Sequence, residues 1–329
     1  MALKLSVLDQ SPVSEGETKE QALKHTVDLA KHVEKLGYQR FWVSEHHDSH
    51  SLAGSSPEVL ISHIAAKTSS IRVGSGGVML PHYSPYKVAE NFRVLEGLNP
   101  NRIDLGIGRA PGGMPAATYA LQDGRPRDVD RFPEQIDDLF AYLSDEDPRV
   151  KASPMIQTKP EVWLLGSSPQ SAILAAEKGL PYSFAQFING QGGEQYMYLY
   201  MKRFKPSNIL QAPKNMVSVF VICAETDDKA NEIASSLDLS IVLLEQGVPR
   251  KGTPSPEKAM AYTYSTYEKM RLLENRKRMI VGSPQKVRDE LYKLSERFQT
   301  NEIMLVTITY DFEAKKKSFE LVAEAIAND

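Results

Sequence analysis

Three hydroxyls within six residues, Gly166-Ser167-Ser168-Pro169-Gln170-Ser171, are the part of this chain whose chemistry is most readily read. They follow a short apolar run and stand where a helix would begin. The unpaired N–H groups and the positive dipole end of such a helix, with the hydroxyls beside them, suit a phosphate. Arg109 follows a neighbouring apolar run and can fork two N–H donors onto the same group, where a lysine would offer a point charge. The competing reading makes Ser168 a plain N-cap and Arg109 a structural ion-pair partner. Generic barrels more often hold phosphate after strands seven and eight, so this placement departs from the common case.

A second cluster is Glu45, His46, His47, Asp48 and His50. Imidazole and carboxylate are good ligands for zinc or iron. Adjacent residues at a strand end point in opposite directions, however, so His46 and His47 do not share one ion without a bend, and the two-histidine helical zinc pattern is absent. No metal is expected. A single histidine facing a barrel mouth serves instead as a general acid or base near neutral pH, or as a hydrogen-bond donor to a bound ring. His47 and His50 read as surface residues. Gly76-Gly77 marks a tight turn or a place where something approaches the backbone too closely for a side chain. Gly106-x-Gly108 lacks the third glycine of a dinucleotide loop, and Pro111 interrupts the helix that should follow. There is no Walker sequence, nucleophile elbow or paired Cys-x-x-Cys.

These clusters need elements to position them. Apolar, β-branched runs recur at residues 3–8, 40–44, 71–76, 102–107, 161–165, 181–185, 217–223 and 302–309, eight candidate strands. Helical patterns lie between them. Ala22, Leu23, Val27, Ala30, Val33 and Leu36 form one stripe that ends at Gly37, with Thr18 and Gln21 as a capping box. Ser56-Pro57, Ser84-Pro85, Ser168-Pro169 and Ser283-Pro284 each offer a capping hydroxyl and a proline for the first turn. Eight strands alternating with helices predict a parallel sheet, and count and length favour a closed (β/α)₈ TIM barrel over an open doubly wound sheet. Residues 225–279, with the Pro/Gly segment 247–256, exceed one connection and read as an insertion between strands 7 and 8, a lid or an ordinary linker. Otherwise one domain, 1–329, is expected, without repeats or low-complexity tracts.

Composition narrows the partners. Among 329 residues, 39 basic face 42 acidic, so nothing global advertises nucleic acid or an anionic membrane. The basic stretch 269–278 reads as a solvated helix face. The single cysteine, Cys223, lies in an apolar run and reads as a packed strand residue. No run of 18 apolar residues and no basic leader is present, which makes the cytoplasm the expected location.

Taken together the strand ends resemble the luciferase-like flavin monooxygenases. The matching text is Phe41-Trp42-Val43-Ser44-Glu45-His46-His47, residues 72–81 around Gly76-Gly77, residues 101–112 around Gly108-Arg109, and Val281-Gly282-Ser283-Pro284 with Glu302-Ile303-Met304-Leu305 as a closing helix and strand. The resemblance implies reduced FMN as co-substrate, supplied by a separate flavin reductase, and O2 acting through a C4a-hydroperoxyflavin on a small-molecule substrate. It implies a homodimer. It places His46 beside the flavin, with Glu45 orienting it, and a non-proline cis peptide at Gly76-Gly77 under the ring. Gly108, Arg109, Gly166, Ser167, Ser168 and Ser171 become the remaining cofactor contacts, Arg109 and the serines at the phosphate. Gly108 stands where luciferases carry a reactive cysteine, which argues against light emission. Two other expectations stay open: a deazaflavin-dependent reductase on the same barrel, and a non-catalytic flavin-binding protein. A metal-dependent barrel hydrolase built on residues 45–50 is a third.

Overall fold

Each of the eight apolar runs forms a parallel strand in the computed structural model, which describes residues 3–109, 111–124, 128–248 and 251–327. Ala110 of the motif at 106–113, and residues 249 and 250 of the expected insertion, lie outside the described residues. The strands are β1 (Lys4–Asp9), β2 (Arg40–Val43), β3 (Arg72–Met79), β4 (Ile103–Gly108), β5 (Glu161–Gly166), β6 (Tyr182–Ala185) and β7 (Asn215–Cys223), then β8 (Met279–Gly282) and β9 (Glu302–Val306). Pairing runs from β1 to β7 in order, then to β9, and β9 returns to β1. The sheet is therefore a closed eight-stave (β/α)₈ TIM barrel.

β8 is the addition to the expected set. It pairs with Phe220–Cys223 of β7, beyond the rung Ala185↔Ser218 where β6 ends. Val281-Gly282, expected to lead into a helix, ends this strand instead.

Twelve helices are found among the described residues. The first half carries α1 (Lys19–Lys35), α2 (Pro57–Ala65), α3 (Pro85–Leu98), α4 (Pro115–Leu121), α5 (Phe132–Leu143) and α6 (Pro169–Lys178). The second half carries α7 (Gly193–Arg203), α8 (Asp227–Glu245), α9 (Pro256–Ala261), α10 (Thr266–Arg276), α11 (Pro284–Phe298) and α12 (Phe312–Ala327).

α1 starts at the Thr18–Gln21 capping box, and the chain turns out of it at Gly37, φ +82°. Its buried stripe is Ala22, Thr26, Leu29, Ala30 and Val33. Fully burying Leu29 or Val33 contributes about 1.5–3 kcal/mol each. All four Ser-Pro pairs open helices with proline in the first turn, but only the Ser168 hydroxyl makes a capping bond. At Ser56, Ser84 and Ser283 the fixed φ of the proline sets the helix start without it.

The N-terminal end of the barrel is closed by charge. Arg40 donates to Asp104 (2.8 Å) and Glu302 (2.8 Å), while Asp104 also accepts from Trp42 Nε1 (2.8 Å) and Arg72 Nε (2.8 Å). Glu161 faces Arg40 and Arg72 and pairs with Lys214, so three cations meet three anions. Each charged partner contributed by a strand stands at or next to its start. Site chemistry is thereby left to the opposite end.

The described residues of 225–279 include α8, α9 and α10. Seven consecutive residues of α8, Ser236 to Val242, are buried because α9, α10 and β8 cover its sides. Arg276 of α10 forks onto Asp238 of α8 at 2.7 and 2.6 Å. Thr253 exchanges backbone bonds with Val13 and Glu15 of the loop after β1, so the segment reaches the C-terminal rim of the barrel beside β1.

Candidate active site

A cavity of ≈ 610 Å³ opens at the C-terminal ends of the strands. All eight staves line it: Leu8, Trp42, Gly76 and Gly77, Gly108, Leu165, Ser183, Ser218 and Met304 come from β1, β2, β3, β4, β5, β6, β7 and β9. That size suits a small-molecule or cofactor site. Gly76, Gly77, Gly108, Arg109, Gly166, Ser167, Ser168 and Ser171, expected from the sequence, all border it, whereas Glu45 and His46 do not.

The β3 wall is bare backbone. A Cβ on Gly77 would lie 2.6 Å from Leu165 Cδ1 and 2.7 Å from the Gly106 carbonyl, and one on Gly76 would lie 2.6 Å from Leu8 Cδ1. The peptide between the two glycines is cis, and the β3–β4 register shifts between Gly76 and Val78. Both glycines border the cavity, so main chain rather than side chains forms the wall there.

At the other end of the cavity stands the N-terminus of α6. Ser168 is its N-cap, and Ser168 and Ser171 form a reciprocal box through two bonds of 3.4 Å. The Ser171 hydroxyl also donates to the Ser168 carbonyl (2.7 Å) and meets Tyr182 Oη at 3.0 Å. The capping reading thus applies to this pair. Long bonds of this kind are weak and leave the Ser168 side chain able to serve an anion as well. Arg109 borders the same end.

The β2 end is organised by a two-residue period. Ser44 Oγ meets His46 Nδ1 at 2.9 Å, and Glu45 meets His47 Nε2 at 2.8 Å, each pair lying on one side of the chain. Glu45 therefore does not orient His46, as the resemblance implied. Its buried carboxylate instead accepts the Met79 N–H (3.0 Å) and the Tyr83 hydroxyl (2.8 Å), tying the end of β2 to the end of β3. Burial and that carboxylate raise the Tyr83 phenol above its usual range. His47 is likewise no surface residue: it is half-buried and donates its N–H to the Gly112 carbonyl, while His50 is exposed. Glu45→Ala leaves three donors facing a hole and costs about 1–3 kcal/mol per unmade buried bond, read as a lower urea midpoint.

Burial, followed by the neighbouring His47, lowers His46 to about 4, so its imidazole is neutral at pH 7. Its folded pKa lies below the ordinary 6.5, so the stability it contributes is present above pH 6.5 and is lost as pH falls through about 4. Urea midpoints measured across that window should fall less steeply for His46→Gln than for the native chain. Cys223 is a buried β7 residue whose thiol is pushed up to about 12 by burial. Among the described residues no three His, Cys, Asp or Glu side chains converge as metal ligands, and no helix is long and apolar enough to cross a membrane.

The sequence reading missed Leu8, Trp42, Ser183, Ser218 and Met304. Strand alternation was the available signal: each stands on the inward parity of an expected strand.

Comparisons with known proteins show what the chain is similar to. A family model described as luciferase-like monooxygenase matches residues 3–300. An uncharacterized Bacillus subtilis (strain 168) protein, YwcH, is 59% identical, covering 98% of this chain and 99% of that protein. The N-acetyl-S-alkylcysteine monooxygenase of the same organism is 38% identical over 98% of each chain. The crystal structure of apo-MsnO8, 40% identical, superposes with a TM-score of 0.94 and covers 99% of this chain and 98% of that one.

Proposed function

The chain belongs to the luciferase-like monooxygenase family, and from that premise we propose that it is a two-component enzyme which takes reduced FMN from a separate reductase and oxygenates a small organic substrate with O2. The observation that carries the proposal is the cavity itself, with bare backbone at Gly76-Gly77 on one side and a hydroxyl-lined helix N-terminus beside Arg109 at its end. Those two features match the two halves of FMN, a flat ring and a phosphate.

When bound, reduced FMN supplies the electrons and the activation of oxygen. The chain's own residues do the rest. Arg109, Ser167 and Ser168 hold the phosphate, with Ser171 fixing the turn. Gly108 and Gly166 border the cavity without side chains, and glycine at 166 lets Ser171 of α6 pack against the end of β5, since a Cβ there would lie 2.1 Å from Ser171 Oγ. Leu8, Trp42 and Met304 floor the cavity with apolar surface and exclude water, which strengthens every polar contact made above them. His46, neutral at pH 7, is the proton acceptor of this reading; it stands off the cavity lining, bonded to Ser44, and its ring must turn off Ser44 to reach a bound molecule. Residues 225–279 are the candidate lid: a cleft of ≈ 420 Å³ between Ile188 and α10 adjoins the main cavity, which Ile188 also borders.

A homodimer completes the proposal. α2 and α3 pack together and expose Val59, Val94 and Leu98. Light scattering should give twice the monomer mass for the native chain, and the monomer mass for Val94→Asp/Leu98→Asp.

The test supplies FMN reduced by a separate reductase, O2 and a panel of small organic compounds, and follows oxygenated product. Product that depends on FMN and the protein supports the proposal. Flavin binding without product on any compound would instead favour the non-catalytic binding protein, and product only with a reduced deazaflavin would favour the reductase.

A further inference from the structure

In a ring of eight staves, β7 stands four places from β3, directly across the cavity from Gly76-Gly77. That facing wall is apolar, from Ala185, Phe187 and Ile188, with one exception. Ser183 on β6 and Ser218 on β7, 3% and 4% exposed, both border the cavity and lie Oγ to Oγ at 3.3 Å. Among the described residues this is the one bond either hydroxyl makes. Two hydroxyls carry two protons, and a mutual bond uses one of them. The second proton has no acceptor among the described residues and faces the cavity, where a bound molecule can receive it. The sheet does not require it: the rungs Leu165↔Ser183↔Met216 and Ala185↔Ser218↔Met304 are made by main chain alone.

We propose that the Ser183–Ser218 pair is the substrate-recognition point, donating a hydrogen bond to one neutral acceptor, a carbonyl or ether oxygen, on an otherwise apolar substrate. This rests on the reading above that the flavin ring lies against Gly76-Gly77. With the ring there, the substrate fills the space between the ring and β7, and its acceptor meets the serines. The substrate is neutral at this wall because Ser183, Ala185, Phe187, Ile188 and Ser218 carry no charge, so a carboxylate or ammonium would be buried unpaired against them; the acidic residues that border the cavity, Asp130 and Glu177, belong to the α5 and α6 side. Arg109 stands at the α6 end and is committed to the phosphate.

The test uses two probes of equal shape, cyclohexanone and methylenecyclohexane. Each is titrated into the native protein, Ser183→Ala/Ser218→Ala and Ser218→Thr, with and without FMN, read by tryptophan fluorescence, since Trp42 borders the cavity. The native protein should bind the ketone about tenfold more tightly than the hydrocarbon. The double alanine variant should lose that preference while its FMN affinity stays within about twofold, and Ser218→Thr, which keeps a hydroxyl, should retain it. Equal affinity for the two probes in the native protein, binding of neither, or a preference that survives the double substitution would overturn the assignment. So would a parallel loss of FMN affinity, which would give the serines to the flavin. If the native protein ignores FMN yet keeps the ketone preference, the flavin reading fails and the serine site stands.

Discussion

Replacing Arg109 with alanine lowers the affinity for FMN by about ten- to a hundredfold, the worth of a charge-assisted hydrogen bond or two to phosphate. Riboflavin affinity should change by less than about twofold. The two ligands share the ring and differ in the phosphate, so the comparison isolates the end of the cavity that Arg109 shares with Ser167 and Ser168. Arg109 lies beyond the last residue of β4 and is exposed, so its loss opens no core cavity and the variant should melt with the native chain. Equilibrium titration of both ligands against both proteins checks this. An equal loss for riboflavin would move Arg109 from the phosphate to the ring.

The second large effect is on stability. Arg40→Met keeps an unbranched apolar stem and removes the cation that holds Asp104 and Glu302 together, leaving both carboxylates buried beside fewer positive partners. Breaking a buried pair in this way costs about 3–5 kcal/mol. The guanidinium also stacks 5.1 Å over Trp163, a contact the thioether replaces only in part. Chemical denaturation should show a lower midpoint at an unchanged slope, and the thermal midpoint should drop by on the order of 5–10 °C. FMN affinity should be retained, because none of the network's charged groups borders the cavity, although Trp42, which donates to Asp104, does.

Much of this architecture was legible because its signals are local. β-branched runs mark the staves, and proline at a first turn marks four helix starts regardless of what the neighbouring serine does. β8 escaped because Met279–Gly282 is four residues long, follows a charged helix directly and pairs with half of one strand. At the site, hydroxyls before a helix and glycine pairs after a strand carry their meaning in their own chemistry, so the phosphate end and the bare wall were both readable. The partner of Glu45 was misassigned although the period of two already put His47, not His46, on its side of the chain. Ser183 and Ser218 carry no motif at all, since their meaning arises only when two strands set their hydroxyls together. The basal ion network was hidden in the same way. Arg40, Arg72, Glu161 and Glu302 each open a strand and Asp104 is one residue in, but only barrel closure brings them within reach.

The most direct measurement is an anaerobic titration of the native protein with reduced FMN, oxidised FMN and a reduced deazaflavin, followed by tryptophan fluorescence from the cavity floor. Stoichiometric quenching by reduced FMN, with weaker binding of the oxidised form and of the deazaflavin, is the expected result. Failure of reduced FMN to bind, or a preference for the deazaflavin, would contradict the assignment of this cavity to an FMN-dependent monooxygenase.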